Sequence, residues 1–159
     1  MRTISRKTGL AALSILVLLT SCGRNILYSD VVKMKDEEWS MYDPANFSCP
    51  VNDTTGSYNV SFSVRTSTEY PYRNLFLFVV TTFPSGTTLT DTVQGMLTDE
   101  KGEWLGKGVG DIREVAIPYK SNVFFPEAGE YHFRVIHGMR DTVLNGVYDI
   151  GLKISLRTD

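Results

Sequence analysis

Side chains able to do covalent or acid–base chemistry are sparse in this 159-residue chain. Its two histidines, His132 and His137, are five apart in a stretch that reads as one strand. Side chains alternate faces along a strand, so odd spacing sends the two imidazoles to opposite sides. They cannot share a metal unless a bulge intervenes. No serine sits in the sharp strand-to-helix elbow that exposes a hydrolase nucleophile. Carboxylates gather at Asp91, Asp99, Glu100, Glu103 and Asp111. The run Asp99-Glu100-Lys101-Gly102-Glu103 lacks the alternating oxygen ligands of a calcium loop and carries a lysine inside it. It reads as a turn with solvated charges. The sequence therefore predicts no catalytic residue, no metal site and no cofactor.

The remaining reactive group is a thiol. Arg2, Arg6 and Lys7 precede an apolar run from Leu10 to Leu19 that is broken by Ser14. A positive start, a short apolar core and a small-residue exit describe a secretory signal. The run falls short of the roughly twenty apolar residues that a membrane span needs. The stretch Leu19-Thr20-Ser21-Cys22 is similar to a bacterial lipobox. In that pattern the cysteine thiolate attacks a diacylglyceryl donor, a signal peptidase cuts before the cysteine, and the new amino terminus is acylated. Each buried methylene contributes about 0.8 kcal/mol, so two or more chains hold a protein firmly to a bilayer. Cys22 is thus the predicted lipidation site. With its sulfur spent, Cys49 has no partner and is expected to be a small buried hydrophobe.

The expected organisation is a lipoprotein signal peptide over 1–21, a lipidated N-terminus and tether over 22–36, and a β-sandwich domain over 37–159. About 140 mature residues suit one domain with a real core. Loss of Arg2, Arg6 and Lys7 leaves 13 basic against 18 acidic residues and moves the net charge from −2 to −5. An acidic globule lacks the clustered cations of a nucleic-acid binder. Nor is there a polybasic patch for membrane contact, so the lipid must do the anchoring.

The elements are strands. Tyr58, Val60, Phe62 and Val64 alternate with Asn59, Ser61, Ser63 and Arg65, the period of a half-buried strand. Leu75 to Val80 is apolar in both phases, as in a central sandwich strand, and Phe83-Pro84-Ser85-Gly86 turns it into a threonine-rich return strand. Further strands are expected at 47–51, 115–120, 131–139 and 147–156, with Pro50 and Pro118 placing theirs at sheet edges. Lys35 to Glu38 reads as a solvated turn, and Asn145-Gly146 as a tight turn. Gly95, Gly102, Gly106, Gly108 and Gly110 mark a long loop expected to fold Trp104 and Leu105 inward. The fold class is all-β, a β-sandwich whose Ig-like or jelly-roll order one sequence leaves open.

Loop aromatics are the binding candidates. Tyr70, Tyr72 and Trp104, with Arg73 and Lys107, form the candidate partner-binding surface, because aromatics and arginine in loops supply contact hot spots. Protein contact is the leading reading, and sugar stacking on the aromatics is the alternative.

Four stretches carry a resemblance: Tyr70-Pro71-Tyr72-Arg73-Asn74-Leu75-Phe76-Leu77; Gly102-Glu103-Trp104-Leu105-Gly106-Lys107-Gly108-Val109-Gly110-Asp111; Phe125-Pro126-Glu127-Ala128-Gly129-Glu130-Tyr131; and Met139-Arg140 with Leu144 to Leu152. In this order, behind a lipobox, the chain resembles the gliding-motility lipoprotein family GldH over nearly all of its mature length. The resemblance implies a cell-envelope lipoprotein linked with the motility and secretion apparatus, with envelope proteins as partners. It brings no catalytic residue, and Cys22 alone transfers as a site. The residues after it, Gly23-Arg24-Asn25-Ile26, lack the acidic run that often marks surface-exported lipoproteins. The expected location is the outer membrane, with the domain facing the periplasm.

Overall fold

Period-two alternation decides the core. Tyr58, Val60, Phe62 and Val64 are all buried, while Asn59, Ser61, Ser63 and Arg65 between them are only partly covered. The computed structural model describes residues 25–157. Its strands are β1 (Ile26–Lys33), β2 (Glu38–Ser40), β3 (Ala45–Val51), β4 (Tyr58–Ser67), β5 (Asn74–Thr82), β6 (Thr88–Met96), β7 (Ile112–Val123), β8 (Gly129–His137), β9 (Val143–Asn145) and β10 (Val147–Leu156). An exposed 3-10 turn, Lys35–Glu37, separates β1 from β2.

Every pairing is antiparallel. One four-stranded sheet has the order β1-β10-β4-β7 and the other β3-β8-β5-β6, with β2-β9 a separate ribbon. Setting the ribbon aside, the eight long strands taken in chain order occupy 1-8-3-6 and 2-7-4-5. Two sheets interleaved in this way are the paired Greek keys of a jelly roll. That settles the order the sequence left open. Pro50 and Pro118 lie in the edge strands β3 and β7, where a missing N–H breaks no ladder. Cys49 is free and fully buried, and burial pushes its thiol up to about 11.

Four expectations change. The segment 26–33, expected to be tether, is an edge strand paired with β10 from Ile26 to Lys33. Its polar sequence suits an edge that buries little. β5 is central but covered on one face only: Leu75, Leu77 and Val79 are buried, while Phe78 is 41% exposed. A two-layer sandwich has no third layer to cover an outer face. In the long loop Leu97 is the fully buried side chain, and Leu105 points to solvent. Asn145-Gly146 does not close a hairpin, because β9 pairs with β2 while β10 pairs with β1 and β4. Gly146 instead bends the chain between sheets at φ +76°, close against Ser67.

The sandwich has two distinct ends. At one, Asn25 accepts a hydrogen bond from the Leu156 N–H, and Ile26, Ser155, Leu156, Tyr58 and Val123 stand in neighbouring registers. The loops 52–57, 83–87 and 124–128 gather there, with rings of Tyr58, Phe125, Tyr131 and Phe83 in contact. The far end holds the loops 68–73, 97–111 and 138–142. It is closed by Trp39 and Leu144, cross-strand partners in the ribbon.

Two titratable side chains, Asp149 and His137, are buried within the domain. Asp149, almost fully buried on β10, accepts Arg65 Nε at 2.7 Å and also its Nη2. Breaking a fully buried pair costs about 3–5 kcal/mol, and the Arg65 side chain is partly open to water. Arg65→Ala is therefore expected to destabilise the domain by roughly 2–3 kcal/mol, read by urea denaturation, with the larger part recovered in Arg65→Ala/Asp149→Asn.

His132 is at the surface, with Nδ1 2.9 Å from Ser48 Oγ. His137 is fully buried, edge-on to Trp39 with ring centroids 5.3 Å apart. Neither of its ring nitrogens has a hydrogen bond of normal geometry. Burial lowers its pKa, only partly offset by the backbone of Thr142 and Trp39. An unfolded imidazole titrates near 6.5, so below about that pH the unfolded chain binds a proton that the folded chain does not. His137 stability is thus fully present above that pH and lost as pH falls towards the lowered folded value. In thermal melts between pH 7.5 and 5, the Tm of wild type is expected to fall more steeply than that of His137→Leu.

Candidate functional site

The candidate residues lie together at the far end, and backbone hydrogen bonds hold them there. The Arg73 carbonyl accepts the N–H groups of Leu97 and Thr98 at 2.8 and 3.2 Å. Its guanidinium donates to Thr98 Oγ1 at 3.4 Å and to the Asp99 carbonyl. Asp99 in turn organises its own turn: Oδ1 accepts the N–H groups of Lys101 and Glu103, both at 2.8 Å. The carboxylate is occupied in shaping the loop. Thr98 then bridges to Trp104, whose half-buried ring packs on the core.

Beyond Trp104 the chain lies directly on the start of β7. Lys107 and Glu114 exchange both backbone hydrogen bonds, at 3.0 and 2.8 Å. The approach is so close that a Cβ on Gly106 would stand 1.9 Å from the Glu114 carbonyl oxygen, and one on Gly108 would stand 1.8 Å from that of Ile112. These two glycines are required by sterics. They explain why the glycine-rich motif is a rigid strap with Lys107 displayed on its exposed side. Gly106→Ala is expected to cost at least about 1–3 kcal/mol, the usual penalty for overpacking, and to raise hydrogen exchange at Lys107 and Glu114. Gly102→Ala, at φ +84° with open space around it, should strain its own turn without moving the strap.

The aromatics do not form a stacking platform. Tyr70 is buried, donates to the Asn74 carbonyl at 3.4 Å and meets Tyr72 edge-on at 72°. Burial raises its phenol pKa, with Tyr72 and Asp141 adding to it. Tyr70 is therefore a core residue, which corrects its place on the candidate surface. Tyr72 is half-buried and donates to the Asp141 carboxylate. The sugar-stacking alternative needed coplanar exposed rings, and these rings cross.

What the candidate list missed lies beside Tyr72. Tyr72, Asn74, Phe76, Gly138, Met139 and Arg140 line a hollow that opens onto the outer face of β5. Phe76, Phe78 and Val80 run along that face, with Met139 Sδ 3.4 Å from the Phe76 N–H. Gly138 leaves room for the Phe78 ring, since a Cβ there would stand 2.8 Å from it. The signal was present in the sequence: β5 is apolar in both phases, and one of them must face outward in a two-layer fold.

Among the described residues no group of three or more His, Cys, Asp or Glu side chains converges on a common point. The Asp91 carboxylate takes the Tyr119 hydroxyl at 2.5 Å and Lys120 Nζ at 2.9 Å, which tie β6 to β7 and hold its pKa below the usual range. No described helix is long and apolar enough to cross a membrane.

Comparison with known proteins identifies the lineage. The family model for the GldH lipoprotein matches residues 26–154. The chain belongs to the GldH lipoprotein family. A relative described as a gliding motility lipoprotein GldH homolog, from Christiangramia forsetii, is 33% identical over 146 residues, covering 87% of this chain and 89% of the relative. The gliding motility lipoprotein GldH of Flavobacterium johnsoniae is 32% identical over 145 residues, with the same shares covered. Family membership makes the protein a membrane-anchored lipoprotein of the cell envelope. Among solved structures, the VP2 subviral particle of infectious bursal disease virus aligns at 12% identity and a TM-score of 0.35, covering 81% of this chain and 31% of that one. The jelly-roll assignment rests on the strand order, not on that likeness. Cys22, the expected lipidation site, lies outside the described residues.

Proposed function

We propose that the protein is a non-enzymatic accessory component of the gliding motility apparatus and its associated secretion machinery, acting by contact with another envelope protein. The observation that carries this reading is the apolar stripe Phe76-Phe78-Val80 on the open face of β5, continuous with Tyr72 and Met139. Exposed contiguous apolar surface rimmed by polar groups is the usual mark of a protein contact. Tyr72, Arg73, Trp104 and Lys107 extend the same surface around the far end, on loops held by hydrogen bonds and sterics. A preorganised surface of this kind loses little entropy on binding.

Membership in a family of gliding motility lipoproteins supplies the process. Lipid on Cys22 holds the domain at the outer membrane, facing the periplasm. The absence of an acidic run after Cys22 supports that orientation.

A photo-crosslinking residue at Phe78 or Tyr72, introduced in cells, is expected to capture one discrete envelope protein. The same residue at Lys153, on the opposite sheet, should capture none. Phe78→Asp should abolish both the crosslink at Tyr72 and surface spreading while leaving the Tm within a few degrees. Unchanged spreading and secretion on deletion of the gene, with no captured protein, would overturn the reading.

A further inference from the structure

β1 begins at one end of the sandwich, and that end exposes large apolar side chains beside an apolar cavity. Asn25 is held against the Leu156 N–H, so Cys22 is three residues from a fixed point. Three extended residues span about 10 Å. From β1 across β10 and β4 to β7 is three strand spacings, about 14 Å. A bilayer holding the lipid on Cys22 therefore lies within reach of this whole end of the domain.

Four large apolar side chains are exposed there: Ile26, Leu89, Leu156 and Phe124, the last at 60%. Ile26 and Leu156 flank the point where the chain leaves towards Cys22. Phe124 and Leu89 stand at the rim of a cavity of about 190 Å³ that opens between β6 and β7. Phe83, Tyr119, Phe125 and Phe133 line it, and the surface they present is almost wholly apolar. The groups that would attract water or a charged ligand are already used. Lys120 and Tyr119 are taken up by Asp91, and Asp53 is hydrogen-bonded within its own loop by Thr55. Asp53, Glu127 and Glu130 share this end with Lys120 and Arg157, so it carries no clustered positive charge that would select an anionic surface.

We propose that this end of the sandwich docks on a zwitterionic bilayer, with Phe124 entering the acyl region and a lipid chain reaching the cavity beside it. The inference rests on the reading of Cys22 as the lipid attachment site. Anchoring by lipid alone does not fix which way a domain faces. A second apolar contact fixes which end faces away. The far end, with Tyr72, Arg73, Trp104 and Lys107, is then presented about 30 Å from the membrane, the length of a ten-residue strand such as β10.

The test uses the full lipidated chain reconstituted into phosphatidylcholine vesicles, with or without bromine on the acyl chains. In the Phe124→Trp variant the background comes from Trp39, which is buried, and Trp104, at the far end. The added emission is expected to be blue-shifted and quenched at least two-fold by brominated chains. Leu156→Trp, at the same end, should behave alike and guards against misfolding of the first variant. Val109→Trp, 89% exposed at the far end, should not be quenched. Emission at 124 and 156 quenched no more than wild type overturns the docking, including the case where it is blue-shifted because the protein's own anchor chain fills the cavity. Equal quenching at 109 and 124 overturns the fixed orientation. Mass spectrometry of the N-terminal peptide separates the two readings. An unacylated Cys22 overturns the anchoring, whereas an acylated Cys22 with unquenched Trp at 124 and 156 overturns the docking alone.

Discussion

The rest of the structure depends on the seating of β10 between β1 and β4. β10 is an interior strand of its sheet, and among the described residues β1 pairs with no other strand. Ile150, Leu152 and Ile154 face the core from it, and Asp149 reaches Arg65 across the ladder. β1 therefore takes its ladder hydrogen bonds from a strand far along the sequence, while Leu27, Tyr28 and Val32 pack against the core. Such pairing is non-local and closes a large loop, which costs entropy and slows folding. Buried area must offset that cost, because the free Cys49 supplies no covalent staple.

This seating also divides the molecule's labour by position. β1 starts at the end where Leu156, Tyr58 and Val123 meet, which is also the end of the apolar cavity. The strap of glycines and the ribbon of Trp39 and Leu144 occupy the other. The outer face of β5 connects the far end to the flank of the domain. A two-layer sandwich keeps one face of each sheet uncovered, so any apolar residue placed there remains available to a partner.

Several polar side chains are engaged in architecture. Asp99 shapes its turn, Asp91 ties β6 to β7, and Asp149 anchors Arg65. His137 sits in the core beside Trp39, its proton affinity lowered by burial. Charged and polar groups committed in this way define conformation.

The sequence by itself determined what is local. Alternation named the buried residues of β4, and prolines marked β3 and β7 as edges. The four stretches from Tyr70 to Leu152 identified the family. It also carried the hint of an exposed face in the two-phase apolar pattern of β5. Only tertiary structure decided what depends on distant partners. The jelly-roll order follows from pairings between strands far apart in the chain. Tyr70 turns inward because the core beneath its loop has room for it, and the polar segment 26–33 is a strand because β10 offers it an edge. Gly106 and Gly108 are indispensable because β7 lies against them. Period and turn chemistry are written residue by residue, whereas burial is a property of the neighbours that folding brings.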